Sequence, residues 1–250
     1  MSEQELIWII GASDGIGAAL ARIWAERGAR LILSARNVVA LQKLASDLGS
    51  QHHVMALDVG DRASLDAAAR EIARLGPLSR VVHLAALYDP GRIETLDPEI
   101  AARIVNVNLT GSFHIAQIAP KLLREGGQLA LCGSAAGNIG LPQGQIYSAT
   151  KAGVINLAES LRAELAGRVD VRLISPGFVD TRLTQRNDFK MPALLTAQEA
   201  ARAIIKGLNR RGFEIHFPRR LTLVLKLLRA LPYWAALPLT GRLTKQETPR

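Results

Sequence analysis

A doubly wound α/β fold, with one parallel sheet covered by helices on both faces, is the architecture this sequence predicts. Two observations lead there. Seven apolar runs of strand length recur along the 250 residues, and six of them are spaced widely enough for a helix to intervene. The runs are also apolar at successive positions rather than alternating, which is the pattern of strands buried on both faces.

In order, the runs are LIWII (6–10), LILS (31–34), HVMAL (53–57), RVVHLA (80–85), QLALC (128–132), DVRLIS (170–175) and FEIHF (213–217). No internal repeat, low-complexity linker or composition break precedes about residue 218. Residues 1–217 therefore read as a single doubly wound domain of the Rossmann type, and 218–250 as a basic amphipathic extension.

Composition narrows the function classes. A chain with 48% hydrophobic residues can bury a large core. The single cysteine, Cys132, excludes a disulfide framework and reads as a small buried hydrophobe; five scattered histidines without zinc-type spacing give no metal site. The start, MSEQELIWII, is acidic and runs straight into an apolar strand, without the basic start or cleavage region of a signal peptide, so a cytoplasmic location is expected. The net charge of +9 is local: residues 201–250 hold 11 Lys and Arg against 2 Asp and Glu, and the rest of the chain is balanced. With aromatics at 4% and no nucleic-acid motif, a nucleic-acid partner is not expected.

In doubly wound folds ligands sit beyond the carboxyl ends of the strands, so the loops there carry the chemistry. The first is GASDGIG, Gly11 to Gly17, whose glycines permit a tight turn and bring helix N-terminal amides towards a pyrophosphate. The second strand ends in Ala35 and Arg36, where an NAD enzyme usually places a carboxylate for the ribose; an Arg accommodates a 2′-phosphate. Further along, Tyr147 and Lys151 stand four apart in YSATK, which puts both side chains on one strip of a helix. An ammonium beside a phenol favours the phenolate, so a usable acid or base near neutral pH is expected there.

Together these residues resemble the short-chain dehydrogenase/reductases over residues 5 to about 217. GASDGIG is similar to their cofactor loop, LDV (57–59) to their adenine-binding acidic site, and NVNLTG (106–111) to the segment with their catalytic Asn. GSAAG places Ser134 thirteen residues before Tyr147, and SPGFVDT (175–181) resembles the nicotinamide-side loop. The resemblance implies catalytic roles for Asn108, Ser134, Tyr147 and Lys151, with Asn108 holding a water that relays protons to Lys151. It implies cofactor contacts at Gly11, Ser13, Asp14, Gly15, Ile16, Gly17, Arg36, Asp58, Val59, Ala85, Pro176, Gly177, Val179 and Thr181, besides Tyr147 and Lys151. Two departures stand out: Ile10 occupies the position of a usual Thr, and HLAA (83–86) replaces Asn-Asn-Ala-Gly. His83 reads as a strand residue bonded to backbone rather than a catalytic group.

The implied reaction interconverts a carbonyl and an alcohol by hydride transfer, with Tyr147 as acid or base, NADP(H) preferred and NAD(H) the lesser alternative. A nucleotide-sensing protein without chemistry, or a double-bond reductase, is the competing reading. The segment 178–195 is expected to form a lid before a helix starting near Thr196, and Phe189, Met191 and Leu194 to give an apolar pocket or anchor the lid. A homodimer or homotetramer follows by analogy. In the tail, a helix over 219–231 ends at Pro232 and puts Arg219, Thr222, Lys226 and Arg229 on one face and Leu221, Leu225 and Leu228 on another. The tail is too short and charged to span a bilayer; it either packs on protein or lies in a membrane interface, with Tyr233 and Trp234 at the boundary.

Overall fold

In the computed structural model, which describes residues 4–187 and 191–242, the strands follow the predicted alternation. They are Leu6–Ile10 (β1), Arg30–Ala35 (β2), His53–Ala56 (β3), Leu78–His83 (β4), Leu123–Cys132 (β5), Asp170–Pro176 (β6) and Glu214–Phe217 (β7). The helices are Gly15–Glu26 (α1), Val38–Leu48 (α2), Arg62–Leu75 (α3), Pro98–Val105 (α4), Gly111–Leu122 (α5), Gln145–Glu164 (α6), Ala197–Leu208 (α7), Arg219–Ala230 (α8) and Tyr233–Arg242 (α9). Among the described residues the strands form one sheet in the order β3-β2-β1-β4-β5-β6-β7, all neighbours parallel.

β1 shows why successive apolar residues were needed. Ile7 and Ile9 belong to the core under α1, α2 and α7, whereas Leu6, Trp8 and Ile10 belong to the core under α3, α5 and α6. Each strand residue points opposite to its neighbour, so both faces require apolar side chains. Helix starts are set by short polar caps: Asp14, Asn37, Asp61 and Asp97 each accept from a backbone N–H of the helix they precede. Thr196, the expected cap, forms a full capping box with Glu199.

Two strands, β4 and β5, differ from the expected runs by more than one residue. β4 stops at His83, so Leu84 to Ala86 leave the sheet and turn into the cleft above it. β5 begins at Leu123 rather than Gln128, taking in a glycine pair with Gly126 at φ +68 where its register against β4 shifts. The tail differs more. α8 ends at Ala230, one residue short of expectation, and a second helix, α9, follows Pro232 and holds Pro238 within it. Phe189 lies outside the described residues.

At the opposite end of the sheet from the glycine loop, charges tie β5, β6 and β7 together. Asp170 accepts from Arg172 Nε at 2.8 Å, from Gln128 at 2.9 Å and from Arg162. Arg172, 5% exposed, also donates to the carbonyls of Arg210 and Gly212. Removing the carboxylate leaves a buried guanidinium without its counter-charge, which is costlier than replacing both groups together. We expect Asp170→Asn to lower the unfolding free energy by about 3 kcal/mol, read from urea denaturation; a loss below about 1 kcal/mol would show that Arg172 is held by the carbonyls alone.

Candidate active site

The carboxyl ends of β1, β4, β5 and β6 open into one cleft of about 780 Å³, lined from Arg36 and Asn37 at one end to Ser134, Tyr147 and Lys151 at the other. Every cofactor-binding position expected from the sequence lines it: Gly11, Ser13, Asp14, Gly15, Ile16, Gly17, Arg36, Asp58, Val59, Ala85, Pro176, Gly177, Val179 and Thr181. Of the four expected catalytic residues, Ser134, Tyr147 and Lys151 line it, and Asn108 is fully buried behind it.

The glycine loop has its shape for reasons internal to the protein. Gly11 sits at φ +90, and a Cβ there would come within 2.7 Å of the Ala85 backbone nitrogen. A Cβ on Gly17 would meet the Gly11 carbonyl oxygen at 2.1 Å. The loop is thus pressed against the chain leaving β4, and the amino end of α1 opens into the cleft, where backbone dipoles favour an anion. The hydroxyl missing at Ile10 is not needed to fix it. Ser34 O accepts from Gly11 N at 2.7 Å and from Ala12 N at 3.1 Å, and Leu84 N donates to Ile10 O at 2.8 Å. Arg36 is exposed at the rim, beside Ala35 and with no carboxylate at the strand end. Asp58 turns back to accept from Gly60 N at 2.9 Å, which holds the LDV segment in place.

Ser134 and Tyr147 are brought together by close packing. Ser134 follows β5 and caps a short 3-10 turn, accepting from Ala136 N at 3.1 Å. That turn lies directly on α6: a Cβ on Gly137 would be 2.8 Å from the Lys151 carbonyl carbon. Lys151, only 2% exposed, reaches across to donate to the Cys132 carbonyl at 2.8 Å, and its Nζ stands 5.6 Å from the centre of the Tyr147 ring.

Electrostatics correct the expectation drawn from the Tyr-Lys spacing. Burial pushes the Tyr147 phenol up from its ordinary value; coupling to Cys132 adds to the rise, and a hydrogen bond with Ser134 opposes it. Burial likewise moves Lys151 down, against an opposing pull from Cys132. The ammonium lies over the ring face, where it meets the ring quadrupole and not the phenolic oxygen. Tyr147 is therefore a firmly protonated phenol, suited to giving up a proton only as negative charge develops beside it.

Asn108 sits in a π turn (Asn106–Thr110) between α4 and α5. Its amide accepts from Leu87 N at 2.7 Å and donates to Leu87 O at 2.9 Å and to Thr150 at 3.2 Å, while its own carbonyl accepts from Ser112 at 2.6 Å. The amide is a clamp between the cleft wall and α6. Sequence reasoning missed Tyr88. Its ring meets that of Tyr147 edge-on at 4.8 Å, and its hydroxyl donates to Asn187 across the cleft at 2.7 Å. The only signal was an aromatic residue shortly after the fourth strand.

The lid is anchored at its base. Val179 pairs with Leu195, and Thr184 donates to the Val179 carbonyl and accepts from Thr181 N at 3.1 Å. Arg186 donates to the Tyr88 carbonyl at 2.9 Å and to Asp89 at 3.0 Å, joining the lid to the opposite wall. Leu194 is exposed and outside the cleft; Leu87, Val107 and Leu183 supply its apolar lining instead.

His83 is buried as expected but is not bonded to backbone: neither ring nitrogen has a partner among the described residues. Burial, and then the charge of Lys151, hold it down to about 3. With the folded value below the unfolded one, the folded state binds fewer protons, and stability falls as pH drops below about 6.5. We expect His83→Asn to shrink the loss of unfolding free energy between about pH 7 and pH 5 by roughly 2 kcal/mol, measured by denaturant titration at both pH values. An unchanged pH dependence would show that the ring is not held neutral.

Known proteins resemble this chain in sequence and fold. The short chain dehydrogenase family model matches residues 5–191. An uncharacterized oxidoreductase of Myxococcus xanthus is 34% identical over 231 residues, covering 90% of this chain and 91% of the relative. A 3-oxoacyl-(acyl-carrier-protein) reductase of Vibrio cholerae is 31% identical over 205 residues, covering 80% and 84%. A crystal structure of a short chain dehydrogenase from Burkholderia cenocepacia, in complex with NADP, matches 98% of this chain and 99% of its own at 25% identity, with a TM-score of 0.82. On the family match, the relatives and the shared fold, this chain belongs to the short-chain dehydrogenase/reductase family.

Proposed function

We propose that the protein is an NADPH-dependent reductase that turns a small, largely apolar carbonyl compound into an alcohol. The observation that carries this reading is one cleft with an Arg and no carboxylate at the end of β2 and with Ser134, Tyr147 and Lys151 gathered at its other end. The NADP held by the Burkholderia neighbour supports it. The residues present fit such a cofactor: the amino end of α1 would take the pyrophosphate, Arg36 the 2′-phosphate, and Asp58 and Val59 the adenine side.

When bound, the nicotinamide supplies the hydride that the carbonyl carbon receives. The chain's own work is on the oxygen. Ser134 and Tyr147 would donate hydrogen bonds to it, and Tyr147 would pass its proton as the charge grows. Lys151, fixed on the Cys132 carbonyl, would hold the nicotinamide ribose and keep a positive charge beside the ring. Asn108 positions the Leu87 wall and α6 rather than touching substrate. Tyr88, the lid and Leu87 would exclude water from the reacting atoms. The enzyme would act in the cytoplasm as a homodimer or homotetramer joined through α5 and α6; the exposed Phe113 on α5 supports that pairing.

Tyr147→Phe removes the proton donor and leaves the cofactor cradle, so turnover should fall by about three orders of magnitude or more with NADPH affinity kept. Lys151→Ala should weaken both, seen as a rise in the NADPH Kd together with a fall in kcat. Near-normal turnover of the Phe variant, or untouched NADPH affinity in the Ala variant, would refute the roles assigned.

Cofactor choice should follow the guanidinium at the rim, because a phosphate contact to Arg has no counterpart with NADH. Wild type is expected to favour NADPH by at least about tenfold in kcat/KM, about 1.4 kcal/mol, and Arg36→Ala to narrow that ratio. Equal use of NADH and NADPH by wild type would overturn the assignment.

A further inference from the structure

Among the described residues, seven of the twelve large apolar side chains that stand exposed fall within α8 and α9. The tail leucines expected to form one stripe do pack inward: Leu225 and Leu228, joined by Ala236 of α9, rest on Ala135 and Ile139, and Leu221 packs against them partly buried. The residues expected to form a polar face turn partly inward too. Thr222 is fully buried and hydrogen-bonds His216 at 2.6 Å, and Lys226 pairs with Glu214. What remains outside is a second apolar face of α8, with Leu223, Val224 and Leu227 at 54%, 51% and 65% exposure; on α9, joined to α8 by the Arg229–Tyr233 hydrogen bond, Tyr233, Trp234 and Leu237 are exposed as well. A helix apolar on both sides has one partner beneath it and needs another above.

Charge selects that partner. Arg219, Arg220 and Arg229 are exposed around this face. Of the two carboxylates in residues 201–250, Glu214 is paired with Lys226 and Glu247 lies outside the described residues. A second copy meeting this surface about a two-fold axis would set these arginines against themselves, with no free carboxylate among residues 201–242 to answer them. Nucleic acid would answer the arginines but not the aliphatic side chains. An anionic lipid surface answers both: Leu223, Val224, Leu227 and Leu237 enter the acyl boundary, the arginines reach headgroups, and Tyr233 and Trp234 sit where one side is apolar and the other wet. No helix among the described residues is long and apolar enough to cross a membrane, so the contact is in plane.

We propose that the outward faces of α8 and α9 seat this protein on an anionic lipid surface. Leu221 of α8 lies against Gly177, where a Cβ would approach its side chain to 2.9 Å, and the same helix covers the turn after Ser134. Docking therefore brings the wall of the catalytic cleft to the lipid and points to carbonyl substrates dissolved in it, a consequence that rests on the reductase reading.

The test is flotation of the full chain with phosphatidylcholine vesicles, with and without phosphatidylglycerol, in the absence of cofactor and substrate. NADPH oxidation with a water-soluble carbonyl panel is measured on the same preparation, so that loss of docking and loss of the reductase reading are told apart. Truncating the tail is unsuitable because α8 supplies core contacts, whereas Leu227 and Trp234 are exposed and can be changed without touching them. Wild type should float with the anionic vesicles and release in raised salt. Leu227→Gln with Trp234→Ser, and separately Arg219→Gln with Arg220→Gln, should each lower partitioning by at least about tenfold with circular dichroism unchanged. Absence of flotation by wild type, or flotation indifferent to both variant pairs, overturns the proposal. It is equally overturned if the Leu227/Trp234 variant instead halves the mass seen by light scattering, since a second copy is then the occupant.

Discussion

One hydrogen bond, from the buried Lys151 ammonium to the Cys132 carbonyl, fixes the relation on which the rest of the site depends. Cys132 ends β5, Ser134 follows it by two residues, and Lys151 lies one helical turn beyond Tyr147 on α6. Holding the ammonium to that carbonyl pins the helix bearing the phenol to the strand bearing the hydroxyl. The approach is possible only because Gly137 has no side chain to force the 3-10 turn off α6. A buried cation with few partners is costly, and the downward shift of Lys151 is that cost expressed as acidity. The site keeps the lysine in spite of it, which makes sense where a charge must stand near a reacting oxygen in a medium of low dielectric.

The same low dielectric explains why pairwise reasoning from the sequence misjudged Tyr147. Spacing of four guarantees that two side chains share a strip of helix, but says nothing of how deeply the strip is buried. Here burial acts on the phenol more strongly than any neighbour, and the lysine is drawn away by a carbonyl that only the tertiary structure supplies. Position in the chain was legible; protonation was not, because it depends on atoms from β5 that lie far away in sequence.

Legibility followed that division elsewhere. The strands, the glycine loop, the Thr196 cap and the order of the site segments were readable because each rests on local periodicity or a local turn. The clamp made by Asn108 was not, since its partners Leu87 and Thr150 come from two other segments. Tyr88 escaped for the same reason: nothing around it hints that its ring will meet Tyr147 and its hydroxyl Asn187. His83 was read as an ordinary strand residue because buried polar groups are usually satisfied, and in its case neither ring nitrogen is satisfied among the described residues.

The tail shows how a correct pattern can be incomplete. Leu221, Leu225 and Leu228 do form an inward stripe, and once that stripe is placed, geometry dictates where the remaining residues of α8 must point. Leucine and valine at 223, 224 and 227 then face outward by necessity, on a helix that could have carried polar residues there at no cost to the core. Pro232 separates α8 from α9, which exposes further apolar side chains, with a tyrosine and a tryptophan at its start. The helices that brace the turn after Ser134 and the Gly177 backbone thus also carry the most apolar exterior of the described chain, so whatever covers that exterior bears mechanically on the wall of the catalytic cleft.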